Sequence, residues 1–290
     1  MAQWSGKSKG TVLGYKIFVY CIKNLGIKAA YTVLVFVAFY YVLTSWKSNG
    51  AIYDYLKNKQ KFSTFKAFFG VYKSYFTFGQ VLIDKVAINA GLRHKFTYDF
   101  DGISILKNLL AQKKGGVLIS AHVGNFEIAE HFFADIDFEC QINLVTSDLE
   151  HSAIKNYLDS LGKKSAVKFI IIKEDLSHIF EINHALSNNE LICFTGDRYF
   201  EGTKVLENDL LGANAKFAAG PFLIASRLKV PVAFVYVMKE PNLHYHLYTR
   251  EAQFKQRDAQ ALLQEYCTSV ASVVKKYPYQ WFNFFKFWNT

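Results

Sequence analysis

The chain of 290 residues is long enough for one large domain or two small ones, and its net charge of +10 suits anionic lipid headgroups, an acidic protein partner or nucleic acid. Nucleic acid is the weakest of these partners, because the lysines are dispersed and the sequence contains no helix-turn-helix, RNP-type or zinc-finger pattern. The four cysteines lack C-x-x-C pairing, which predicts that they are small buried residues in a reducing compartment. The aromatic content of 17% indicates an apolar cleft, a membrane interface or a Phe-rich core.

The N-terminal residues 1–60 are predicted to form a membrane-associated helical segment. Residues 15–25 alternate apolar and basic side chains, a pattern typical of an interfacial helix. Residues 29–46 then carry no charge, and this length is at the lower edge of the roughly 17 to 25 residues that a transmembrane helix needs. Residues 61–92 hold aromatic side chains at helical spacing and are predicted to form a helix that packs on the domain or dips into lipid.

From residue 96 onward, the pattern alternates between helices and strands. Helices are predicted at 103–113, 127–133, 153–161, 176–186, 217–228 and 258–276. Strands are predicted at 117–120, 141–146, 168–172, 191–195, 205–210, 232–238 and 244–249, the last as an edge strand. This alternation predicts an α/β fold with a mostly parallel sheet flanked by helices. Because no repeat or long linker interrupts it, residues 61–290 are predicted to form one domain.

The main chemical signal is the pair of His122 and Glu127. The strand at 117–120 ends just before His122, and Glu127 lies in the first turns of the next helix. Open α/β sheets build their sites at the carboxyl ends of strands. At this spacing, a carboxylate could hold one ring N–H of the imidazole and leave the other nitrogen as a general base. The base would deprotonate a hydroxyl that the substrate brings, which is triad chemistry without a protein nucleophile.

Two other interpretations of these residues stay open. A histidine at a strand end is commonly a hydrogen-bonded structural residue. Glu127 and His131 are also four apart on one helix face, with Glu130 beside them, which is a spacing that metal ligands use. No second histidine pair lies nearby in the sequence, so no metal or other cofactor is predicted.

Several segments resemble a known family. The segment AHVGNFE at 121–127 is similar to the H-x4-D/E motif of the lysophospholipid acyltransferase superfamily. The resemblance is greatest to the branch with the late acyltransferases of lipid A biosynthesis, in which Glu often replaces Asp, and especially to Bacteroidetes-type members, including those linked to aryl-polyene and flexirubin pigments. It continues through an apolar N-terminus, GDR at 196–198, LLG at 210–212, AAGPFLIAS at 218–226 and PYQWF at 278–282. It implies a glycerolipid acyltransferase-like fold with His122 as base and Glu127 as its orienter.

The resemblance also implies substrate-binding residues. Asp197 and Arg198 follow the strand at 191–195, and the resemblance places them beside a donor or acceptor headgroup, where Arg binds phosphate or carboxylate in two-pronged geometry. A structural Asp–Arg pair that fixes the loop is an equal alternative. Lys204 ends an E-G-T-basic segment like the one that binds phosphate in glycerol-phosphate acyltransferases, although a chance match of four letters is the alternative.

Stabilisation of an oxyanion is expected from backbone N–H groups near Gly124 and Asn125 or from Arg198. The region 145–156 lacks the Tyr-Arg pair that is common in the lipid A enzymes, which favours an acceptor other than a lipid A precursor.

The sequence hypothesis is a membrane-associated O-acyltransferase that moves a fatty acyl group from a thioester to a hydroxyl of a lipid or glycolipid. The donor is acyl carrier protein, which the basic charge favours, or acyl-CoA. Because activated donors are made in the cytoplasm, the domain is expected on the cytoplasmic face of the inner membrane, held by a helix in one leaflet or by a hairpin, with a single true span as the alternative. We expect this anchor to be removable without loss of chemistry.

Two other function classes remain as alternatives. One is a hydrolase of the same lipids, although the sequence has no G-x-S-x-G elbow for a serine nucleophile. The other is a catalytically silent membrane scaffold, against which the intact pair of His122 and Glu127 argues.

Overall fold

The computed structural model describes residues 19–20, 22, 24–133, 140–146, 167–173, 175–199 and 202–288. The helix predicted at 153–161 and most of the interfacial helix predicted at 15–25 lie outside the described residues. The same is true of the side chain of Glu130.

The described helices and strands follow most of the predicted pattern. The helices are α1 (Ile27–Thr44), α2 (Trp46–Asp54), α3 (Thr64–Ala87), α4 (Ile103–Ala111), α5 (Ala129–Phe133), α6 (Ser177–Ser187), α7 (Ala219–Arg227) and α8 (Ala259–Lys276). The strands are β1 (Thr97–Asp101), β2 (Gly116–Ser120), β3 (Ile142–Thr146), β4 (Val167–Ile171), β5 (Leu191–Thr195), β6 (Val205–Leu210), β7 (Ala213–Ala218), β8 (Val232–Glu240) and β9 (His244–Glu251). Short helical turns at Tyr55–Lys59, Ile88–Leu92, Arg93–Lys95 and Phe126–Ile128 extend or connect the helices.

The described part of the chain forms a seven-stranded sheet with the order β1-β9-β8-β2-β5-β3-β4. Neighbouring strands are parallel except for the antiparallel pair β8 and β9. All five residues of β2 are buried, as expected of a central strand that is covered on both faces. The prediction of an α/β fold with a mostly parallel sheet is therefore confirmed.

One strand prediction and one helix prediction are wrong in detail. The predicted edge strand is β9, which lies inside the sheet, because β1 pairs with it and forms the edge. The start of the helix predicted at 217–228 belongs instead to β7, which pairs with β6 in a separate two-stranded sheet. The two-residue turn between them places Leu211 and Gly212 at φ values of 53° and 77°. Leucine seldom adopts this left-handed conformation, so a hairpin turn at this position is hard to predict from the residue types.

The apolar helix α1 packs along α3. The rings of Tyr41 and Tyr75 stack with centroids 5.9 Å apart. A Cβ atom on Gly79 of α3 would come within 2.2 Å of Leu34, so the glycine allows the two helices to approach closely. The buried face of α1, which joins the same hydrophobic clusters as the sheet, consists of Ile27, Ala30, Leu34 and Ala38. Residues on both sides of the boundary predicted at residue 60 therefore share hydrophobic clusters, and the division of the chain at that residue stays a prediction.

Candidate active site

The parallel pairing of β2 and β5 brings His122 and Asp197 together. Ser120 at the end of β2 is level with Thr195 at the end of β5, and the two site residues lie two positions beyond each strand end. The backbone N–H of His122 donates to both carboxylate oxygens of Asp197, at 3.0 and 3.1 Å. The ring Nδ1 lies 2.7 Å from Oδ1 of the same carboxylate. The side chain of Asp197 therefore holds both the main chain and the ring of His122.

This contact determines the tautomer of His122. An ionised carboxylate only accepts hydrogen bonds, so Nδ1 must carry the proton and donate it to Asp197. In the neutral imidazole, Nε2 is then the unprotonated nitrogen. The side chain is 28% exposed, which leaves the ring accessible in part. The imidazole is therefore set up to accept a proton at Nε2.

Asp197 is completely buried and well supplied with hydrogen-bond donors. Besides His122, its Oδ2 accepts from Nε1 of Trp281 at 3.0 Å and from Nδ2 of Asn283 at 2.8 Å. Burial alone would raise the pKa of Asp197, but the interactions with His122, the charge of Arg198 and the Trp281 bond together hold that pKa well below its ordinary value. The carboxylate is therefore ionised at neutral pH.

Trp281 and Asn283 belong to a segment that we call the C-terminal strap, residues 277–283. The strap runs along the His122 loop as a short antiparallel bridge. The backbone N–H of Phe282 donates to the carbonyl of His122 at 2.8 Å, and the N–H of Gly124 donates to the carbonyl of Gln280 at 2.9 Å. The strap therefore fixes the His122 loop from one side and supplies donors to Asp197 from the same stretch.

Gly124 and Asn125 anchor the loop. The N–H of Asn125 donates to the carbonyl of Val237 at 2.7 Å, and its side-chain amide donates to the carbonyl of Val81 at 3.1 Å. Gly124 has a φ of +55°, and a Cβ atom there would lie 2.1 Å from the carbonyl oxygen of Val237, so only glycine fits. Because both backbone N–H groups already donate to carbonyls, they are poor candidates for stabilising an oxyanion. A contact of either residue with substrate stays a prediction.

Glu127 lies close to His122 but pairs with another element. Its carboxylate accepts a hydrogen bond from Lys85 near the end of α3 and forms an ion pair with it. The charge of Glu127 is near enough to raise the pKa of His122. In the described hydrogen bond, however, Nδ1 of His122 donates to Asp197 and not to Glu127. The orienting role of Glu127 stays a prediction, and Asp197 is the carboxylate that holds the ring.

Arg198 is held by the strap. Its Nε donates to Oδ1 of Asn283 at 2.8 Å, and its Nη2 donates to the carbonyl of Phe282 at 3.0 Å. Burial lowers the pKa of Arg198 to about 10 despite the opposing effect of Asp197, so the guanidinium is still charged at neutral pH. A contact of Arg198 with a headgroup stays a prediction. The two hydrogen bonds give Arg198 a structural role as well, because they attach it to the strap.

Lys204 lies directly before β6, and its side chain is exposed. Its carbonyl accepts a hydrogen bond from the N–H of Ala219 at 3.0 Å, which closes the base of the β6–β7 hairpin. Glu201, the first residue of the E-G-T-basic segment, lies outside the described residues. A phosphate contact of Lys204 stays a prediction.

The environment of His122 favours its neutral form. Burial and the charge of Arg198 lower the pKa of His122, whereas Asp197 and Glu127 raise it, and the net result is a pKa below the ordinary value. A general base must be unprotonated to act, so a lowered pKa keeps the base available at neutral pH and somewhat below.

Replacing Arg198 is expected to change the pH profile. Arg198→Met removes a charge that lowers the pKa of His122, so that pKa should rise and the acid limb of kcat/KM should move to higher pH. Arg198→Lys keeps the charge and loses the two-pronged hydrogen bonding, so its acid limb should stay near that of the wild type. Steady-state rates measured across pH for the three proteins test this expectation. An unmoved limb in Arg198→Met would show that its charge does not act on the base.

Both residues of the alternative metal pair, Glu127 and His131, have other partners. Nε2 of His131 lies 3.0 Å from Oδ1 of Asn89, and Glu127 is paired with Lys85. Among the residues that the structure describes, no group of three or more potential metal ligands comes together.

Sequence reasoning missed the partnership of Asp197 with His122 and the roles of Trp281 and Asn283. Asp197 was predicted to bind substrate or to pair with Arg198. The signal that could have found it is topological, because adjacent parallel strands place the residues after them side by side. For the strap, the signals were the PYQWF segment at 278–282, which is part of the resemblance, and the polar groups of Gln280, Trp281 and Asn283 within an aromatic stretch.

A family model matches most of the chain. The family model for bacterial lipid A biosynthesis acyltransferases matches residues 61–290, which include β2, β5 and the C-terminal strap. No curated protein matches the sequence. Because the match covers most of the chain, from α3 through the strap, the protein belongs to the bacterial lipid A biosynthesis acyltransferase family.

Proposed function

We propose that this protein transfers a fatty acyl group from an acyl thioester to a hydroxyl of a membrane lipid or glycolipid. Family membership implies an acyltransferase that acts on lipid. The single observation that carries the finer proposal is the hydrogen bond between Asp197 and Nδ1 of His122, because it leaves Nε2 as a base. Among the residues that the structure describes, the hydrogen bond of the His122 ring goes to a carboxylate and not to a serine, threonine or cysteine, which suits direct attack by a hydroxyl of the acceptor.

The reaction is a balanced acyl transfer. The acceptor O–H gives its proton to Nε2 of His122 while its oxygen forms a bond to the thioester carbonyl carbon. The C–S bond of the tetrahedral intermediate then breaks, and the sulfur takes the proton from the imidazolium, so that an ester and a thiol leave. The buried carboxylate of Asp197 stabilises the imidazolium between the two steps.

We assign two supporting roles to other residues. Arg198 carries a positive charge close to His122, so it is our candidate for stabilising the oxyanion of the intermediate. Glu127 is a second carboxylate near the ring, and it would help to stabilise the imidazolium. For the donor we propose acyl carrier protein, because an acidic protein complements a chain with a net charge of +10.

The test is an assay with purified protein, labelled acyl donors and total membrane lipid as acceptor. We expect labelled ester in the lipid fraction, with acyl carrier protein as a better donor than CoA. Release of free fatty acid at the same rate with and without acceptor would support a hydrolase instead. The absence of any reaction with either donor would favour a silent scaffold.

For membrane association, we propose that α1 lies in one leaflet. It is the single described helix that is long and apolar enough to cross a membrane, and 22% of its residues are buried in the protein. Its outer face is apolar; for example, Phe36 is 72% exposed. The neighbouring helix α3 carries Lys66 and Lys73, and a full crossing by α1 would draw these charges toward the hydrocarbon. An in-plane position on the cytoplasmic face avoids this cost.

High salt is expected to leave the protein on isolated membranes, whereas detergent should release it. Salt screens attraction between charges but does not weaken burial of the apolar face of α1 in lipid. Immunoblots of washed membranes measure the retained fraction. Loss of the protein in salt alone, or digestion of the catalytic domain by protease added outside spheroplasts, would contradict the proposed position.

A further inference from the structure

A buried charged cluster contains none of the residues to which the mechanism assigns a role. Asp84 of α3 is 0% exposed and pairs with Lys239 of β8, with Nζ and Oδ2 2.6 Å apart. The hydroxyl of Tyr245 donates to the same oxygen at 2.6 Å, and the hydroxyl of Tyr31 donates to the other oxygen. We call these four residues the Asp84 cluster. Its members come from α1, α3, β8 and β9, so it joins the apolar helix to the sheet.

Stability alone is a weak reason for such a cluster. Taking two charges out of water is expensive, and apolar residues of similar volume often stabilise a protein equally well or better. Buried polar networks whose members are satisfied do fix one arrangement of the elements that meet there. The Asp84 cluster accordingly fits a role in geometry better than a role in overall stability.

The cluster is connected to the His122 loop through the C-terminal strap. The backbone N–H of Lys239 donates to Oε1 of Gln280 at 2.9 Å, and Nε2 of Gln280 donates to the carbonyl of Lys239 at 2.7 Å. The backbone carbonyl of Gln280 in turn accepts a hydrogen bond from the N–H of Gly124, two residues after His122. One glutamine therefore links the end of β8 to the loop that carries the base.

A second connection runs through α3. The side-chain amide of Asn125, three residues after His122, donates to the carbonyl of Val81. Val81 lies one helical turn before Asp84. The ion pair thus joins the two elements, α3 and β8, to which the loop is attached. A shift of α3 relative to β8 would change the distance between both attachment points.

We propose that Asp84 is a positioning residue that sets the geometry of the His122 loop, and that Tyr31 makes this geometry depend on how α1 is seated. The inference rests on the proposed function of the His122 site. In this arrangement the membrane-associated helix holds the base in place. Loss of the Tyr31 hydroxyl leaves one oxygen of a buried carboxylate without that donor, and the pair with Lys239 relaxes.

The test compares two tyrosines that bridge the same pair of helices. Tyr31→Phe removes the bond from α1 to Asp84. The matched control Tyr72→Phe removes a bond from α3 to the carbonyl of Val35 on α1, at 3.3 Å, without touching the cluster. We expect Tyr31→Phe to lower kcat about tenfold with an unchanged KM for the donor, because a misplaced base slows the chemical step. Tyr72→Phe should keep the wild-type kcat.

A readout that does not depend on turnover separates this inference from the proposed function. The pKa of His122, measured by NMR of its ring protons in detergent, should rise toward its ordinary value in Tyr31→Phe, because the loosened loop admits water, and should not move in Tyr72→Phe. A second variant, Gln280→Met, cuts the link to β8 and should reproduce the effects of Tyr31→Phe.

A normal kcat and an unmoved His122 pKa in Tyr31→Phe would overturn the inference, as would equal losses of kcat in Tyr31→Phe and Tyr72→Phe. If the wild-type protein transferred no acyl group at all, the proposed function would fail, and the His122 titration would still decide whether the Asp84 cluster positions the loop.

Discussion

Alanine in place of His122 is expected to lower turnover by roughly 100-fold or more while the protein stays folded. The substitution removes the imidazole that donates to Asp197, but the backbone bonds of residue 122 to Asp197 and Phe282 remain. Rates of thiol release from the donor, with thermal unfolding as the control for folding, measure the effect. Full activity of the purified variant would remove the assignment of the base.

The two carboxylates near His122 are expected to respond differently. Asp197→Asn can donate to Nδ1, which would put the ring proton on Nε2 and remove the base, so its loss of turnover should approach that of His122→Ala. It should also unfold more easily, because each buried donor left unpaired costs about 1–3 kcal/mol. Glu127→Ala should reduce turnover strongly and Glu127→Asp less so, with little change in stability, since Glu127 is exposed. Wild-type turnover in Asp197→Asn would show that this carboxylate is not the partner of the base.

Deletion of residues 1–46 is expected to abolish activity on soluble and bilayer acceptors alike. The sequence hypothesis treats this stretch as a removable anchor, but the packing of α1 favours a different outcome. Its removal uncovers the surface that Leu34 and three other buried side chains cover, and it takes the Tyr31 hydroxyl from Asp84. We expect a loss on the order of 5 kcal/mol from the buried apolar groups alone, which is a large part of the stability of an ordinary domain.

Two variants of α1 make the deletion interpretable. Leu34→Ala, on the buried face, should lower the unfolding midpoint and leave membrane binding unchanged. Phe36→Ser, on the exposed face, should weaken membrane binding and keep the unfolding midpoint. If the deletion variant acylated a short soluble acceptor at the wild-type rate, α1 would be an independent anchor after all.

The sequence predicts those helices and strands whose residue pattern is visible within a few consecutive positions. The apolar run that becomes β2, and the position of His122 two residues beyond its end, were located correctly because a buried strand and its end are visible in five or six consecutive residues. The hairpin of β6 and β7 was not, because its turn depends on a leucine in an unusual conformation. The edge strand β1 was missed as well, since its five residues are all partly or fully exposed.

The site was predicted only in part, for a physical reason. The bond between His122 and Asp197 joins residues 75 positions apart, and it exists because β2 and β5 are neighbours in the sheet. Nothing in either segment alone specifies that order. Trp281 and Asn283 are further still from His122 in sequence and lie in an irregular segment, so no periodicity indicates which way their side chains point.

The C-terminal strap also has a consequence for biosynthesis. The strap is translated after every other segment of the site, so a nascent chain that has already formed β2 and β5 still lacks the donors that hold Asp197. Until those residues leave the ribosome, the carboxylate has fewer partners, and the loop of His122 is unsupported on one side. Acylation would therefore begin only after translation has passed the strap, and chains that terminate early would reach the membrane without a working base.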